Sequence, residues 1–255
     1  IQFARENFHN FENAITWLAS KDDSNNFLID EGEYAGWTDS VKKNGEVLYT
    51  NVCYYRSLKA MSNIAHIVEN EPEAQLYDLW ARLVHKRIND NFWLDDGYYA
   101  DWIHDGTTYT YFSTDGNVLA ILWGVADEQK AKSILSYAES NKISEGFGVK
   151  TTYPEYKTAL ISPVNIFAGI PDYHTEMRWL WVSCFYAKAL NENGFENRAT
   201  DELAEINAGI EKQGEVYEVY DSDGEPINRL FYKAEHPFAW SSGVCTYVTQ
   251  DWQSN

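Results

Sequence analysis

Eight stretches of this chain place apolar residues at helical spacing, and short connections alternate with long ones between them. No other feature of the sequence limits its folding so strongly. The clearest stretch has Pro72 in its first turn and then Leu76, Leu79, Trp80, Leu83, Val84 and Ile88 at intervals of three and four. Phe8, Phe11, Ile15 and Leu18 mark a helix over 3–19, and Val52, Tyr55, Leu58, Ser62 and Ala65 mark one over 51–69. Further helices are expected over 113–125, over 127–140 with Asp127 as its N-cap, over about 174–191 with a stop near Gly194, over 200–212 and over 240–252. Residues 91–111 read as a short hairpin or loop, 214–239 as a loop with room for a hairpin, and 30–50 and 146–173 as long irregular segments. Helices joined by short loops pair, and long loops carry the chain to the next pair. Without linker, repeat or low-complexity tract, residues 1–255 read as one domain.

Charge excludes several classes of partner. Acidic residues outnumber basic ones 39 to 20, for a formal net charge of −19. A nucleic-acid backbone or an anionic membrane surface would be repelled. A neutral sugar would not, and the aromatic content of 16%, including 10 Trp and 18 Tyr, suits the flat C–H faces of sugars as well as it suits a core. No run is apolar enough to span a bilayer, and no signal peptide is visible, so a cytoplasmic location is expected. Cys53, Cys184 and Cys245 are odd in number and lie in apolar helical stretches; they are expected to be buried free thiols. No zinc spacing, P-loop, dinucleotide fingerprint or nucleophile elbow occurs, so neither metal nor cofactor is expected.

The polar and aromatic residues concentrate in the long loops, where chemistry is expected. Glu31-Gly-Glu-Tyr-Ala-Gly-Trp37-Thr-Asp39-Ser40 sets a ring beside an acid, and an apolar ring against a carboxyl raises its pKa as a general acid requires. The local alternative for Asp39 is a helix N-cap. Around Glu218, Val216 and Tyr220 alternate with Tyr217 and Val219 in a strand-like period, with Glu215 as the rival acid and a solvated turn as the plain reading. Tyr173-His174-Thr-Glu176-Met-Arg178-Trp179-Leu-Trp181 groups hydrogen-bonding and stacking side chains, and Phe238-Ala-Trp240-Ser241 adds an aromatic platform. Two carboxylates with aromatics and no cofactor motif match the needs of glycoside hydrolysis, in which one group protonates the leaving oxygen and the other activates water or attacks.

Gly36-Trp-Thr-Asp-Ser-Val, then Tyr49-Thr-Asn-Val-Cys-Tyr-Tyr-Arg-Ser-Leu58, resemble the W-x-D segment and following helix of amylo-α-1,6-glucosidases, the glucosidase domains of glycogen debranching enzymes. Processing α-glucosidases, mannosylglycerate hydrolases and trehalases are related families. The resemblance continues at Phe112-Ser-Thr-Asp-Gly-Asn117, at 173–181, at 217–221 and at 238–241, in the family's order. It implies an all-α (α/α)6 toroid of helical hairpins, here matching the later two-thirds of the family's catalytic domain and so incomplete at its N-terminus or shortened. It further implies an inverting mechanism, with Asp39 as general acid and Glu218 as general base, and a sugar pocket lined by Trp37, His174, Trp179, Trp181 and Trp240; Glu176 joins these as a substrate-binding candidate from its own place in the 173–181 group. The expected substrate is an oligosaccharide or glycoside with an α-linked glucose or a related sugar. Many relatives carry His-Asn-Gly where this chain has His174-Thr-Glu176, which leaves the sugar open.

Two other functions fit a helical toroid: a sugar-binding scaffold without turnover, and an epimerase or uronide hydrolase. An epimerase needs facing histidines, and only His174 is so placed. An acidic substrate needs arginines, for which Arg178 and Arg229 are the candidates.

Overall fold

The structure is a computed structural model and describes residues 1–253. Nine helices occur among the described residues: α1 (Gln2–Ala19), α2 (Leu48–Ile67), α3 (Glu71–Asn91), α4 (Thr114–Leu122), α5 (Glu128–Ser140), α6 (Pro163–Phe167), α7 (Leu180–Glu192), α8 (Glu196–Gln213) and α9 (Ala239–Gln253). Eight lie where periodicity places them. The five-residue α6 is too short to show a period.

Their termini follow ordinary capping chemistry. The Asp127 carboxylate accepts from the Lys130 amide at 2.9 Å and starts α5. Pro72 sits in the first turn of α3, where its missing N–H costs nothing. Gly214, at φ +75°, stops α8 in the left-handed conformation. The helix at 180 begins six residues later than expected. The Arg178 backbone exchanges two hydrogen bonds with Tyr220, of 2.8 and 3.0 Å, and this isolated antiparallel bridge keeps Arg178 out of the helix.

Two layers result. In α4 every residue from Thr114 to Ile121 is buried, and α7 is buried over most of its length, so neither has a solvent face. By contrast α5 buries one stripe, Ala131, Ile134, Leu135 and Ala138. Helices α2, α4, α7 and α9 pack side by side as an inner row, with α3 and α1 outside α2 and α8 outside α7. This is an arc of a double-layered α/α toroid.

The helical arc fits the expected α/α toroid of helical hairpins, and short strands accompany it in the loops. The strands β1 (Asp30–Glu31), β2 (Gly45–Val47), β3 (Trp102–His104) and β4 (Thr107–Tyr109) form an antiparallel sheet in that order. Pairs β5 (Phe112–Ser113) with β6 (Thr152–Tyr153) and β7 (Asn228–Arg229) with β8 (Tyr232–Lys233) add two short ladders. These strands are two or three residues long, too short to print an alternation on the sequence. They tie down the loops at one end of the helical arc.

The cysteine expectation is corrected. Cys184 on α7 and Cys245 on α9 form a disulfide with a Cα–Cα distance of 5.5 Å, and Cys53 alone stays free. An odd count does not forbid pairing: the packing of α7 against α9 sets two of the three side by side. Among the described residues no helix is long and apolar enough to cross a membrane.

Candidate active site

The inner helices share a register at their N-terminal ends. Tyr49, Asp115, Trp181 and Trp240 are each the second residue of α2, α4, α7 and α9. All four meet Trp37, which lies half-buried on the loop between β1 and β2. Its indole Nε1 donates to Asp115 Oδ2 at 2.7 Å. Its ring centroid lies 6.1 Å from Tyr49, 4.8 Å from Trp181 and 6.4 Å from Trp240. One loop tryptophan therefore rests on the N-terminal rims of four helices.

The turn that delivers Trp37 needs a glycine. Gly36 has φ +72°, and a Cβ there would come within 2.8 Å of Glu31 Oε1. Glu31 itself is pushed up to about 7 by burial, against the pull of Lys43, with Asp101 and Asp115 adding to the rise.

Behind Trp37 lies a second aromatic layer. His174 and Trp179 stack at 5.3 Å and 7°, and both present edges to Trp37, at 4.8 and 5.4 Å. His174, Trp179 and Trp181 are 1%, 4% and 2% exposed, so they support the rim, while Trp240 is 45% exposed and offers a ring to solvent. His174 Nδ1 lies 2.7 Å from Ser40 Oγ, and burial drives its pKa well below the ordinary imidazole value. Of the residues expected to line a sugar pocket, Glu176 departs from the group. Its carboxylate pairs with Lys150 at 3.0 Å and lines a separate recess with Asp172, Met177 and Asp221. The chain turns between His174 and Arg178, and the Lys150 charge draws the acid to the other side.

Asp39 and Glu218 come within electrostatic reach of each other. Asp39 lies exposed two residues past Trp37, and its carboxyl is raised first by desolvation and then by the charge of Glu218. Glu218 is half-buried, and its amide donates to the Glu235 carbonyl at 2.9 Å. Two phenols donate to its carboxylate: Tyr173 to Oε1 at 2.6 Å, and Tyr232, from the β7–β8 hairpin, to Oε2. A carboxylate offers acceptors on both oxygens and no donor, so this pattern matches its ionised form. Burial, reinforced by the bond to Glu218, raises both phenols far above the usual tyrosine value, and they remain donors. The rival Glu215 pairs instead with His236.

The arginines considered for an acidic substrate are engaged elsewhere. Arg178 donates to the carbonyls of Glu176 and Glu145, and Arg229 clamps Asp172 through two bonds of 2.5 and 2.7 Å. The sequence reading did not single out Asp115 or Tyr232, and it took Tyr173 only as the opening of the 173–181 group. Each makes a hydrogen bond to a residue 78, 14 or 45 positions away, and no local pattern announces such a bond. Among the described residues no group of three or more His, Cys, Asp or Glu side chains is arranged to hold a metal ion.

Helical hairpins in a double-layered arc, with an aromatic rim at the N-termini of the inner row, are features of the six-hairpin glycosidase fold. The solved structures agree. The GH78 family rhamnosidase of Bacillus sp. GL1 superposes with a TM-score of 0.69 at 19% identity, over 98% of this chain and 24% of that one. The GH63 mannosylglycerate hydrolase from Thermus thermophilus, in complex with glucose, superposes with a TM-score of 0.72 at 15% identity, over 97% of this chain and 68% of that one. The same enzyme with Tris and D-glycerate gives 0.72 at 13%, over 96% and 71%. At such identities the likeness is one of fold, and the chain spans 24% of the rhamnosidase's length. No curated protein matches the sequence. The family model of the bacterial alpha-L-rhamnosidase six-hairpin glycosidase domain matches residues 1–151, more than half of the 255. The chain belongs to that family.

Proposed function

We propose that this protein hydrolyses an α-glycosidic bond, of a glucoside or a related sugar, by an inverting mechanism. Asp39 is the general acid that protonates the leaving oxygen. Glu218 is the general base that takes a proton from the attacking water. The observation that supports the reading most is geometric: Tyr173, which donates to Glu218, packs its ring 4.6 Å from His174 and 5.1 Å from Trp179, and both of those rings edge onto Trp37, two residues before Asp39. A raised carboxyl keeps its proton for donation, and a carboxylate held by two phenols is oriented to accept one. Inversion requires the two groups to stand about 6.5–9.5 Å apart, with water between them.

The name of the matched family adds α-L-rhamnosides to the substrates worth testing, and the neighbour's name adds mannosylglycerate. The test is a panel of α-L-rhamnosides, α-D-glucosides and mannosylglycerate, with the anomer of the released sugar read by NMR. Asp39→Asn and Glu218→Gln should each lower kcat by about 10²–10⁴-fold with the fold intact. Full activity in both variants overturns the assignment, and binding without turnover identifies a sugar-binding scaffold instead.

A further inference from the structure

Of the four helix residues that meet Trp37, three do so by ring contact and one by a hydrogen bond. Ring edges slide past one another at little cost, whereas an indole N–H on a carboxylate is directional and charge-assisted. The bond from Trp37 Nε1 to Asp115 Oδ2 is 2.7 Å long and joins residues 78 positions apart in the chain.

The acceptor cannot move. Asp115 is 1% exposed in the first turn of α4, a helix buried on every side. Its neighbour Thr114 donates through Oγ1 to the Lys150 carbonyl at 2.6 Å, and a Cβ on Gly116 would come within 2.8 Å of Leu48, so that turn is tightly packed on both sides. The donor, by contrast, sits on an irregular loop, and Asp39 lies two residues further along it. The charges around Asp115 are Lys43, Asp101 and Glu31, and its second oxygen has no protein partner among the described residues.

We propose that Asp115 is a positioning residue: its carboxylate pins the indole of Trp37 and so fixes the segment that carries Asp39 over the helix rim. This rests on the glycosidase reading above, because it assigns Asp115 to the placing of that reaction's acid. Asp115 itself touches no substrate.

The experiment compares Asp115→Leu, Asp115→Asn, Trp37→Phe and the double variant Trp37→Phe/Asp115→Leu on an α-glycoside that the wild type cleaves. Asp115→Leu should lose about 10- to 100-fold, mainly in kcat, as expected for an acid displaced by about an ångström. Asp115→Asn keeps an acceptor oxygen and should stay within about threefold of wild type, since the anchor survives. In the Trp37→Phe background Asp115→Leu should cost nothing further. Equal loss in the Leu and Asn variants, or the same Leu loss in both backgrounds, overturns the proposal. Where Asp115→Leu does not fold, Trp37→Phe replaces it: it keeps a ring, deletes the donor and must lower kcat, and an unchanged kcat overturns the proposal. The Trp37 indole N–H resonance, assigned by its loss in Trp37→Phe, should exchange slowly in wild type and Asp115→Asn. Fast exchange in the wild type sinks the anchor itself, whereas slow exchange in a protein that cleaves no α-glycoside sinks the activity reading and the positioning role with it.

Discussion

Ser40 and His174 share a buried hydrogen bond of 2.7 Å across 134 positions of the chain. Ser40 directly follows Asp39, so this contact ties the loop of the proposed acid to the turn that carries His174. The imidazole Nε2 has no protein partner among the described residues, which leaves Ser40 as the sole hydrogen-bonding tie of the ring. Ser40→Ala should cost about 1–3 kcal/mol by orphaning a buried nitrogen. Urea unfolding measures it, and an unchanged midpoint refutes it.

Asp39 should titrate above the ordinary aspartate range, because partial desolvation of its carboxyl and the Glu218 charge both oppose its ionisation. In the Glu218→Gln variant the second cause vanishes, so the Asp39 pKa should fall while staying above the reference value. Carboxyl ¹³C NMR reads both. In the wild type, activity should decline as pH rises through the Asp39 pKa, because an acid that has lost its proton cannot donate it. An Asp39 pKa unmoved by Glu218→Gln would separate the two groups.

Tyr232→Phe and Tyr173→Phe each remove one donor from Glu218. A hydrogen bond to a charged group is worth about 1.5–3 kcal/mol. If the bond orients the base in the transition state, kcat should fall by about 10- to 100-fold in each variant. Unaltered kcat in both would leave the phenols a structural role only.

Glu202 is almost wholly buried on α8, with Arg198 Nη2 at 3.3 Å from one oxygen, and burial pushes its pKa from 4.5 to about 7. Between those two pH values the folded state keeps a proton that the unfolded chain has released, so stability falls as pH rises across that window. Glu202→Gln should therefore stabilise the protein at pH 8 by up to about 3 kcal/mol, with the gain vanishing near pH 4. Denaturation at the two pH values decides it, and a gain that persists at low pH would point to another cause.

The pairing of Cys184 with Cys245 predicts a cross-linked peptide in non-reducing digests. Reduction should lower stability by about 2–4 kcal/mol. Cys53, whose thiol is pushed up to about 12 by burial, should alkylate slowly in the native protein. Labelling of Cys184 or Cys245 in the unreduced protein would disprove the first statement, and rapid labelling of Cys53 the second.

The helices, and the loops where polar and aromatic residues concentrate, could be read without any structure. The stripe from Leu76 to Ile88, the Asp127 cap and the stop near Gly194 are local signals, written within a few residues of the feature they produce. The loop holding Trp37 and Asp39 and the segment holding Glu218 stand out in the sequence for the same reason, as short runs of mixed acids, glycines and aromatics. Only the folded chain shows that Tyr49, Asp115, Trp181 and Trp240 share one position in four inner helices and converge on one indole. The same holds for Cys184 facing Cys245 and for Glu176 turning to Lys150. Helical periodicity reports which face of a helix is buried; it carries no information on which other helix buries it. That choice comes from packing between segments far apart in the chain, and the site is built from those contacts.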